Sequence, residues 1–275
     1  MFPFFAFFTV FLIVPVVYTL VLSFFHAPPA ASSLFTDYVG AAQYARAVTD
    51  GTFWQGYESM FYLTLLWLPL MLVLSLLIAL FLDSRRGKLG AVGKIIVFLP
   101  YGVPTVIGTL MWGYMYTAGG PIYSLLSFIH LSPNLLSPNT IIYAMLNIII
   151  WEWVGFNMII LLAGLNAVPS TLYDAAKLDG ASPWQIVRRI KLPMLKKYFV
   201  FISMLTIIGD QLLFNEPFTL SNLSSVPFGF TPNLYIFHLT YFLGEFNYAA
   251  AIAFVLIAVS LVVAVLGVRY FWTES

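Results

Sequence analysis

Six long apolar runs constrain this chain more than any other feature of its sequence. Each is close to the ~20 residues that an α-helix needs to cross a hydrocarbon core of ~30 Å. The runs are continuously apolar instead of alternating over ~10 residues, which favours helices over the strands of a membrane barrel. We therefore predict an all-α integral membrane protein, one domain over residues 1–275, with spans at 2–25, 58–82, 95–117, 140–165, 198–220 and 248–272.

The composition supports a membrane protein and excludes several other classes. Of the 275 residues, 61% are hydrophobic and only 8% are charged, whereas charged residues make up roughly a quarter of a soluble globular domain. A formal net charge of +1 gives no basic face for a phosphate backbone, so we expect no nucleic-acid partner. The chain has no cysteine, and its three histidines lack metal-ligand spacing, so we predict no metal site.

The distribution of basic residues predicts how the chain is oriented in the membrane. Lysine and arginine accumulate in cytoplasmic loops, and here almost all of them fall in one set of loops. The opposite set carries only Arg46. We therefore predict that both termini and the loops after the second and fourth spans are cytoplasmic. The basic residues on that side are Arg85, Arg86, Lys88, Lys94, Lys177, Arg188, Arg189, Lys191, Lys196, Lys197 and Arg269.

The first apolar run has an alternative interpretation as a signal peptide. It lacks a basic leader and a small-residue cleavage site, and it is too long for the apolar segment of a signal peptide. We therefore interpret it as a spanning helix. The missing basic leader is unusual for such a helix, and we expect the true start to lie upstream of Met1.

The predicted cytoplasmic loop at residues 166–197 carries the signals of two short helices. Ser170 is a candidate N-cap for the first helix, and Gly180 is suited to the left-handed position that ends it. Ser182 is a second candidate N-cap, with Gln185 three residues later completing a capping box. We predict two helices held at a fixed angle, with the next span opening at Pro193.

The side chains of this loop suit two roles. Small residues let a helix enter a cleft, and apolar ones supply a contact surface: Ala175, Ala176, Ala181, Leu172, Tyr173, Leu178 and Trp184. Asp174 and Asp179 place carboxylates near helix ends. Alternatively, the loop is an amphipathic hairpin in the headgroup layer, with its basic cluster at 188–197 on anionic lipid. The residue chemistry alone leaves both open.

A family resemblance favours the docking role. Asp174-Ala175-Ala176, then Gly180, then Ile190-Lys191-Leu192-Pro193 resembles the Glu-Ala-Ala, Gly and Ile-x-Leu-Pro loop of binding-protein-dependent ABC importer permeases. The string around Gly180 is similar to the sugar-permease branch, of the maltose and glycerol-phosphate type. The resemblance implies that the loop couples to an ATPase through Asp174, Ala175, Ala176, Asp179, Gly180, Ala181, Ile190, Leu192 and Pro193. Asp174 departs from the family's glutamate and is one methylene shorter.

The resemblance also implies the surroundings of the chain. A prokaryotic plasma-membrane location, a second permease subunit, identical or different, an ATPase dimer and an extracytoplasmic solute-binding protein are expected. ATP and Mg²⁺ would bind to the ATPase, with no cofactor on this chain. The stretch Gly87–Lys94 is a poor phosphate-binding loop, because its glycines are wrongly spaced and Ile95 replaces the required Ser or Thr. We therefore predict a permease and not an enzyme.

Polar residues at membrane depth are candidates for the solute pathway. Such residues are costly in lipid and usually face a cavity or a partner. Aromatic rings beside amides and carboxylates suit a sugar, and the candidates are Asn147, Trp151, Glu152, Asn157, Asp210, Gln211 and Asn215. Tyr62, Trp67, Trp153 and Glu216 lie in the same regions. The alternatives are pairing within the bundle and, for Trp and Tyr, placement at the membrane interface.

Two other classes of protein compete with an importer subunit. A membrane enzyme would need a catalytic cluster, which the sequence does not display. A secondary transporter or channel would have similar helices and would use Glu152 and Asp210 as coupling-ion ligands. Its transport would not need an ATPase.

Overall fold

The computed structural model describes residues 2–28, 33–84, 87–130 and 134–272. Met1 and the basic pair Arg85-Arg86 lie outside the described residues. In chain order the elements are α1 (Phe2–Leu22), β1 (Phe25–His26), β2 (Asp37–Tyr38), α2 (Ala42–Val48), α3 (Gly51–Asp83), α4 (Lys88–Phe98), α5 (Thr105–Tyr116), α6 (Pro121–Phe128), α7 (Ile141–Asn166), α8 (Ser170–Leu178), α9 (Pro183–Asp210), α10 (Asn215–Ser221), α11 (Pro232–Tyr241) and α12 (Phe246–Trp272).

Five helices in the described part of the chain are long and apolar enough to cross a membrane, namely α1, α3, α7, α9 and α12. A sixth crossing is available in these residues only as a bent pair, in which the segments Lys88–Gly102 and Thr105–Phe128 meet at 94°. The predicted span at 95–117 is therefore not one continuous helix. The 3₁₀ turn Leu99–Gly102 interrupts the run. Proline lacks an amide donor and disfavours helical geometry in the residue before it, and here Val103, before Pro104, has an extended ψ of 129°.

The fifth span also differs from its prediction. α9 begins at Pro183, so the second short helix of the loop runs into the span instead of standing apart from it. A π-helical turn at Val187–Lys191 precedes Pro193, which lies inside the helix and does not open it. Such a turn accommodates the missing proline amide without a break. α9 ends at Asp210, and the rest of the predicted 198–220 span is the separate helix α10.

α7 is the centre of the bundle. In its most apolar stretch 56% of the residues are buried, against 6% in α1. α7 packs against α3, α4, α5 and α9. It approaches α4 closely at Gly155, where a Cβ atom would lie 2.0 Å from the carbonyl oxygen of Val97. The Ser75 hydroxyl of α3 donates to the carbonyl of Val154 at 3.2 Å, which joins the two helices at their crossing.

Ion pairs and hydrogen bonds tie each end of the bundle. At one end Arg46 pairs with Glu245 at 2.8 Å, and α2 packs on α12. Asp50 there caps α3, because its carboxylate accepts hydrogen bonds from the amides of Thr52 and Phe53. This cap explains why α3 starts seven residues before its predicted span. At the opposite end Lys191 pairs with Asp83, between the start of α9 and the end of α3.

Candidate transport pathway and coupling loop

A cavity of about 450 Å³ lies between α3, α7, α9 and the start of α10. Its size is within the range of small-molecule sites. Its wall is formed by Trp67, Thr105, Ile149, Trp153, Phe156, Asn157, Leu205, Thr206, Gly209, Asp210, Leu212, Leu213, Asn215 and Glu216. Aromatic rings, hydroxyls, amides and carboxylates therefore face one space.

One face of α7 supplies the aromatic wall. Trp153, Phe156 and Asn157 are three and four residues apart, so they share a side of the helix. Tyr101, in the 3₁₀ turn after α4, stacks on Phe156 with ring centroids 4.7 Å apart. It also meets Trp153 edge-on at 5.3 Å. The break in the α4–α5 crossing thus fixes the orientation of both rings.

Asp210 is held at the end of α9 by neutral donors from α3. Its Oδ2 atom accepts hydrogen bonds from the Thr64 hydroxyl at 2.6 Å and from the Trp67 indole at 3.3 Å. Thr206 lies one helical turn earlier on α9 and faces the same cavity. The carboxylate is buried, with 7% of its residue surface exposed.

Two glutamates flank this carboxylate. Glu216, in the first turn of α10, lines the cavity and is 7% exposed. Glu152 is buried in α7 and accepts a hydrogen bond from Thr105, which lines the cavity itself. Asp210 and Glu216 thus face the same cavity, and Glu152 lies behind Thr105.

The structure divides the predicted pathway residues into two groups. Asn157, Asp210 and Asn215 line the cavity, and Glu152 reaches it through Thr105. Asn147 and Trp151 face α5 instead. The Asn147 amide donates to the Tyr116 hydroxyl at 2.7 Å, and the Trp151 ring meets Trp112 at 5.8 Å.

Gln211 also lies away from the cavity. It accepts a hydrogen bond from Ser260 at 3.2 Å, and its backbone carbonyl accepts one from Asn233 at 2.7 Å. Both contacts join the end of α9 to elements that follow it in the chain. Gln211 is therefore placed to hold the bundle together.

Among the wall residues that the sequence analysis did not name, three carry a hydroxyl or an aromatic ring. Phe156 and Thr206 each carry a spacing signal, since Phe156 is three residues from Trp153 and Thr206 is four from Asp210. Thr105 follows Pro104 at the break. Only the packing of α4 and α5 onto α7 brings its hydroxyl to Glu152. Tyr62, noted from the sequence, is 52% exposed and lies outside the wall.

The predicted coupling loop has the expected turn chemistry with one difference. Gly180 has φ of 75°, the left-handed position that follows α8. The capping box is present, with Ser182 accepting from the Gln185 amide at 3.3 Å and Gln185 accepting in return at 2.7 Å. Ser170 is not the N-cap, because Pro169 holds that position and Ser170 is already helical. Proline's fixed φ favours a helix start next to it.

Burial separates the predicted coupling residues into two sets. The exposed set is Asp174, Ala175, Asp179, Gly180 and Pro193, and the partly buried set is Ala176, Ala181, Ile190 and Leu192. α8 buries no residue, and its last residue, Leu178, is 90% exposed. Trp184, which follows in the loop, is 68% exposed. Large apolar side chains this exposed mark an interaction surface when they are adjacent.

The loop is tied to α3 through Lys191. Its ammonium lies 2.5 Å from the Asp83 carboxylate and 5.5 Å from the centroid of the Tyr173 ring on α8. Burial, and then the nearby charge of Asp83, raise the pKa of Tyr173. α8, α9 and α3 therefore meet at one charged contact.

The chain is similar to known membrane-transport proteins. Residues 51–271 match the family described as binding-protein-dependent transport system inner membrane component. The arabinooligosaccharides permease AraP of Bacillus subtilis is 31% identical over 97% of this chain and 85% of its own length. The lactose permease LacF of Rhizobium radiobacter is 27% identical over 98% and 91%.

Solved structures show the same fold. A bacterial ABC transporter involved in the import of the acidic polysaccharide alginate superposes with a TM-score of 0.84 and 22% identity, covering 98% of this chain and 92% of that one. Identity at this level supports the fold alone. The family match over most of the chain, with multiple apolar helices, identifies a multi-pass inner-membrane protein. The chain belongs to the family of binding-protein-dependent transport system inner membrane components.

Proposed function

We propose that this chain conducts a sugar across the membrane as one permease subunit of an ABC importer. The observation that carries the proposal is the cavity whose wall combines Trp67, Trp153 and Phe156 with Asn157 and Asp210. Aromatic faces stack on the apolar faces of sugar rings, while amides and carboxylates bind their hydroxyls. The sugar-transport names of AraP and LacF support this substrate class.

The assembly that this function requires has three other components. A second permease subunit completes the pathway, an ATPase dimer binds ATP and Mg²⁺, and an extracytoplasmic binding protein delivers the solute. The exposed apolar side chains of Leu178 and Trp184 support a docking role for the loop over a role as a connector. The concentration of basic residues beside the loop supports a cytoplasmic position for it and for both termini.

Coupling in this proposal is mechanical. Closure of the ATPase dimer moves α8, and the Asp83–Lys191 contact passes that movement to α3 and α9. These two helices carry Trp67 and Asp210, which share a hydrogen bond at the cavity. A displacement of the loop therefore changes the shape of the cavity wall.

Reconstitution tests the proposal. The complex, co-expressed with its ATPase and second permease, is placed in liposomes with its binding protein and a panel of labelled neutral di- and trisaccharides. We expect sugar uptake that requires ATP and stops when a catalytic carboxylate of the ATPase is replaced. Uptake that persists without the ATPase subunit, driven by an ion gradient, would instead support a secondary transporter using Glu152 and Asp210.

A further inference from the structure

The charge of the cavity wall is one-sided. Asp210 and Glu216 line it, Glu152 reaches it through Thr105, and the wall includes no lysine, arginine or histidine among the residues that the structure describes. At short range and away from water, charge interactions are far stronger than in solution. The balance of charge at this wall therefore affects which solutes it accepts.

No basic side chain in the described part of the chain pairs with these carboxylates. The donors to Asp210 are a hydroxyl and an indole, and both are neutral. Glu216 is more than nine-tenths buried, and within the described ranges no other side chain donates to it. The described part of the chain also holds no ion pair to Glu152, Asp210 or Glu216. Within those same ranges no group of acidic or histidine residues is arranged to hold a metal ion.

This wall suits hydroxyl groups and opposes acids. A sugar hydroxyl donates to a carboxylate, and a hydrogen bond to a charged acceptor is stronger than a neutral one. A sugar carboxylate meets like charges, and the described wall residues offer no cation to pair with it. Burying an acid without a partner is costly.

We propose that the sugar carried by this importer is a neutral glycoside, and that Asp210 and Glu216 exclude uronic acids from the pathway. The inference rests on the proposed function, since it concerns the same cavity. The likeness to an importer of the acidic polysaccharide alginate does not oppose it, because that likeness is one of fold.

Equilibrium binding to the purified complex in nanodiscs tests the proposal without the binding protein, whose own selectivity would mask that of the membrane subunits. The two probes are maltotriose, which is neutral, and a trisaccharide of galacturonic acid, which carries three carboxylates. Labelled probe is measured by equilibrium dialysis. We expect wild-type complex to bind the neutral trisaccharide at least about tenfold more tightly, the equivalent of about 1.4 kcal/mol.

Variants that remove charge test whether Asp210 and Glu216 cause the preference for the neutral trisaccharide. Glu216→Gln and the double variant Asp210→Asn with Glu216→Gln keep shape and lose charge, and thermal unfolding shows which of them fold. We expect the ratio of the affinity for the neutral trisaccharide to that for the acidic one to fall towards one in each folded variant. Equal wild-type affinities would overturn the proposal, and so would a ratio that stays unchanged in Glu216→Gln. Failure of both trisaccharides to bind would instead count against the sugar pathway itself.

Discussion

The Lys191 ammonium lies 2.5 Å from the Asp83 carboxylate and joins the start of α9 to the end of α3. Both side chains are largely shielded, with 15% and 22% of their surfaces exposed. A buried polar group that loses its partner costs about 1–3 kcal/mol, and a charged group costs more. The pair is therefore suited to transmit movement between the loop and the bundle, and α8 contacts it through Tyr173.

Replacement of Lys191 by methionine should uncouple the cytoplasmic loop from the helix bundle. We expect basal ATP hydrolysis by the complex to remain, while sugar-stimulated hydrolysis and uptake fall at least about tenfold. Exchange of the two charges, with Asp83→Lys combined with Lys191→Asp, should restore part of the coupling because attraction between the positions returns. Unchanged uptake in the methionine variant would show that the pair is not needed.

Gly180 is expected to tolerate few substitutions. Its φ of 75° is opposite in sign to the value that proline requires. Gly180→Pro should insert into membranes normally but lose association with the ATPase, as judged by co-purification, and lose transport. Gly180→Asn is the matched control, since asparagine adopts the left-handed conformation more readily than other residues. Full uptake by the proline variant would refute a coupling role for the loop.

Two tryptophans on α7 allow a role in sugar binding to be separated from a role in helix packing. Trp153 lines the cavity, whereas Trp151 meets Trp112 of α5. Trp153→Leu should raise the KM for sugar uptake about two- to tenfold, because a ring contact is worth about 0.5–1.5 kcal/mol beyond its buried area. Trp151→Leu should lower thermal stability with little change in KM. Equal effects on KM would contradict the assignment of the cavity.

Gly155 should resist even the smallest enlargement. A Cβ there would lie 2.0 Å from the backbone oxygen of Val97, so Gly155→Ala must push α4 away from α7. Overpacking of this kind costs about 1–3 kcal/mol, which thermal unfolding in detergent can measure. Gly267→Ala is the control, since a Cβ at Gly267 meets nothing within 4 Å. A Gly155→Ala protein as stable as the control would show that the helices separate freely.

Asp50 should make the stability of the protein depend on pH in acid. Burial acts to raise its pKa, but hydrogen bonds from the Tyr248 and Tyr235 hydroxyls, and then from the amides of Phe53 and Thr52, outweigh burial and leave the pKa below its usual value. A lowered pKa in the folded state stabilises the protein above the unfolded value. That stability is lost as the pH falls below about 4 through the folded value.

Thermal unfolding between pH 7 and pH 3 measures this dependence. Asp50→Asn should be less stable at neutral pH and should lose less stability on acidification. Glu245, which pairs with Arg46, is a second carboxylate at this end of the bundle, so Glu245→Gln serves as the control for its contribution. A wild-type profile that matches Asp50→Asn across the range would contradict the role of Asp50.

Local chemistry accounts for what could be predicted from the sequence. Run length and apolar character indicate membrane helices, because a backbone in lipid must satisfy its own hydrogen bonds. The capping box at Ser182 and the left-handed turn at Gly180 depend on residues within a few positions of each other. The break between α4 and α5, at Pro100 and Pro104, also has a local cause. It was missed because the sequence from 95 to 117 is apolar throughout.

Long-range packing decided the rest. Asn147 and Asn157 lie on one helix with similar chemistry, yet one bonds to Tyr116 and the other lines the cavity, depending on which helix packs against each face. Thr64 and Asp210 are 146 positions apart and meet at 2.6 Å. The sequence by itself determined that this chain crosses a membrane and carries a structured loop, since those properties arise from neighbouring residues. Only the tertiary structure decided which polar groups share a cavity, because that depends on how the helices pack.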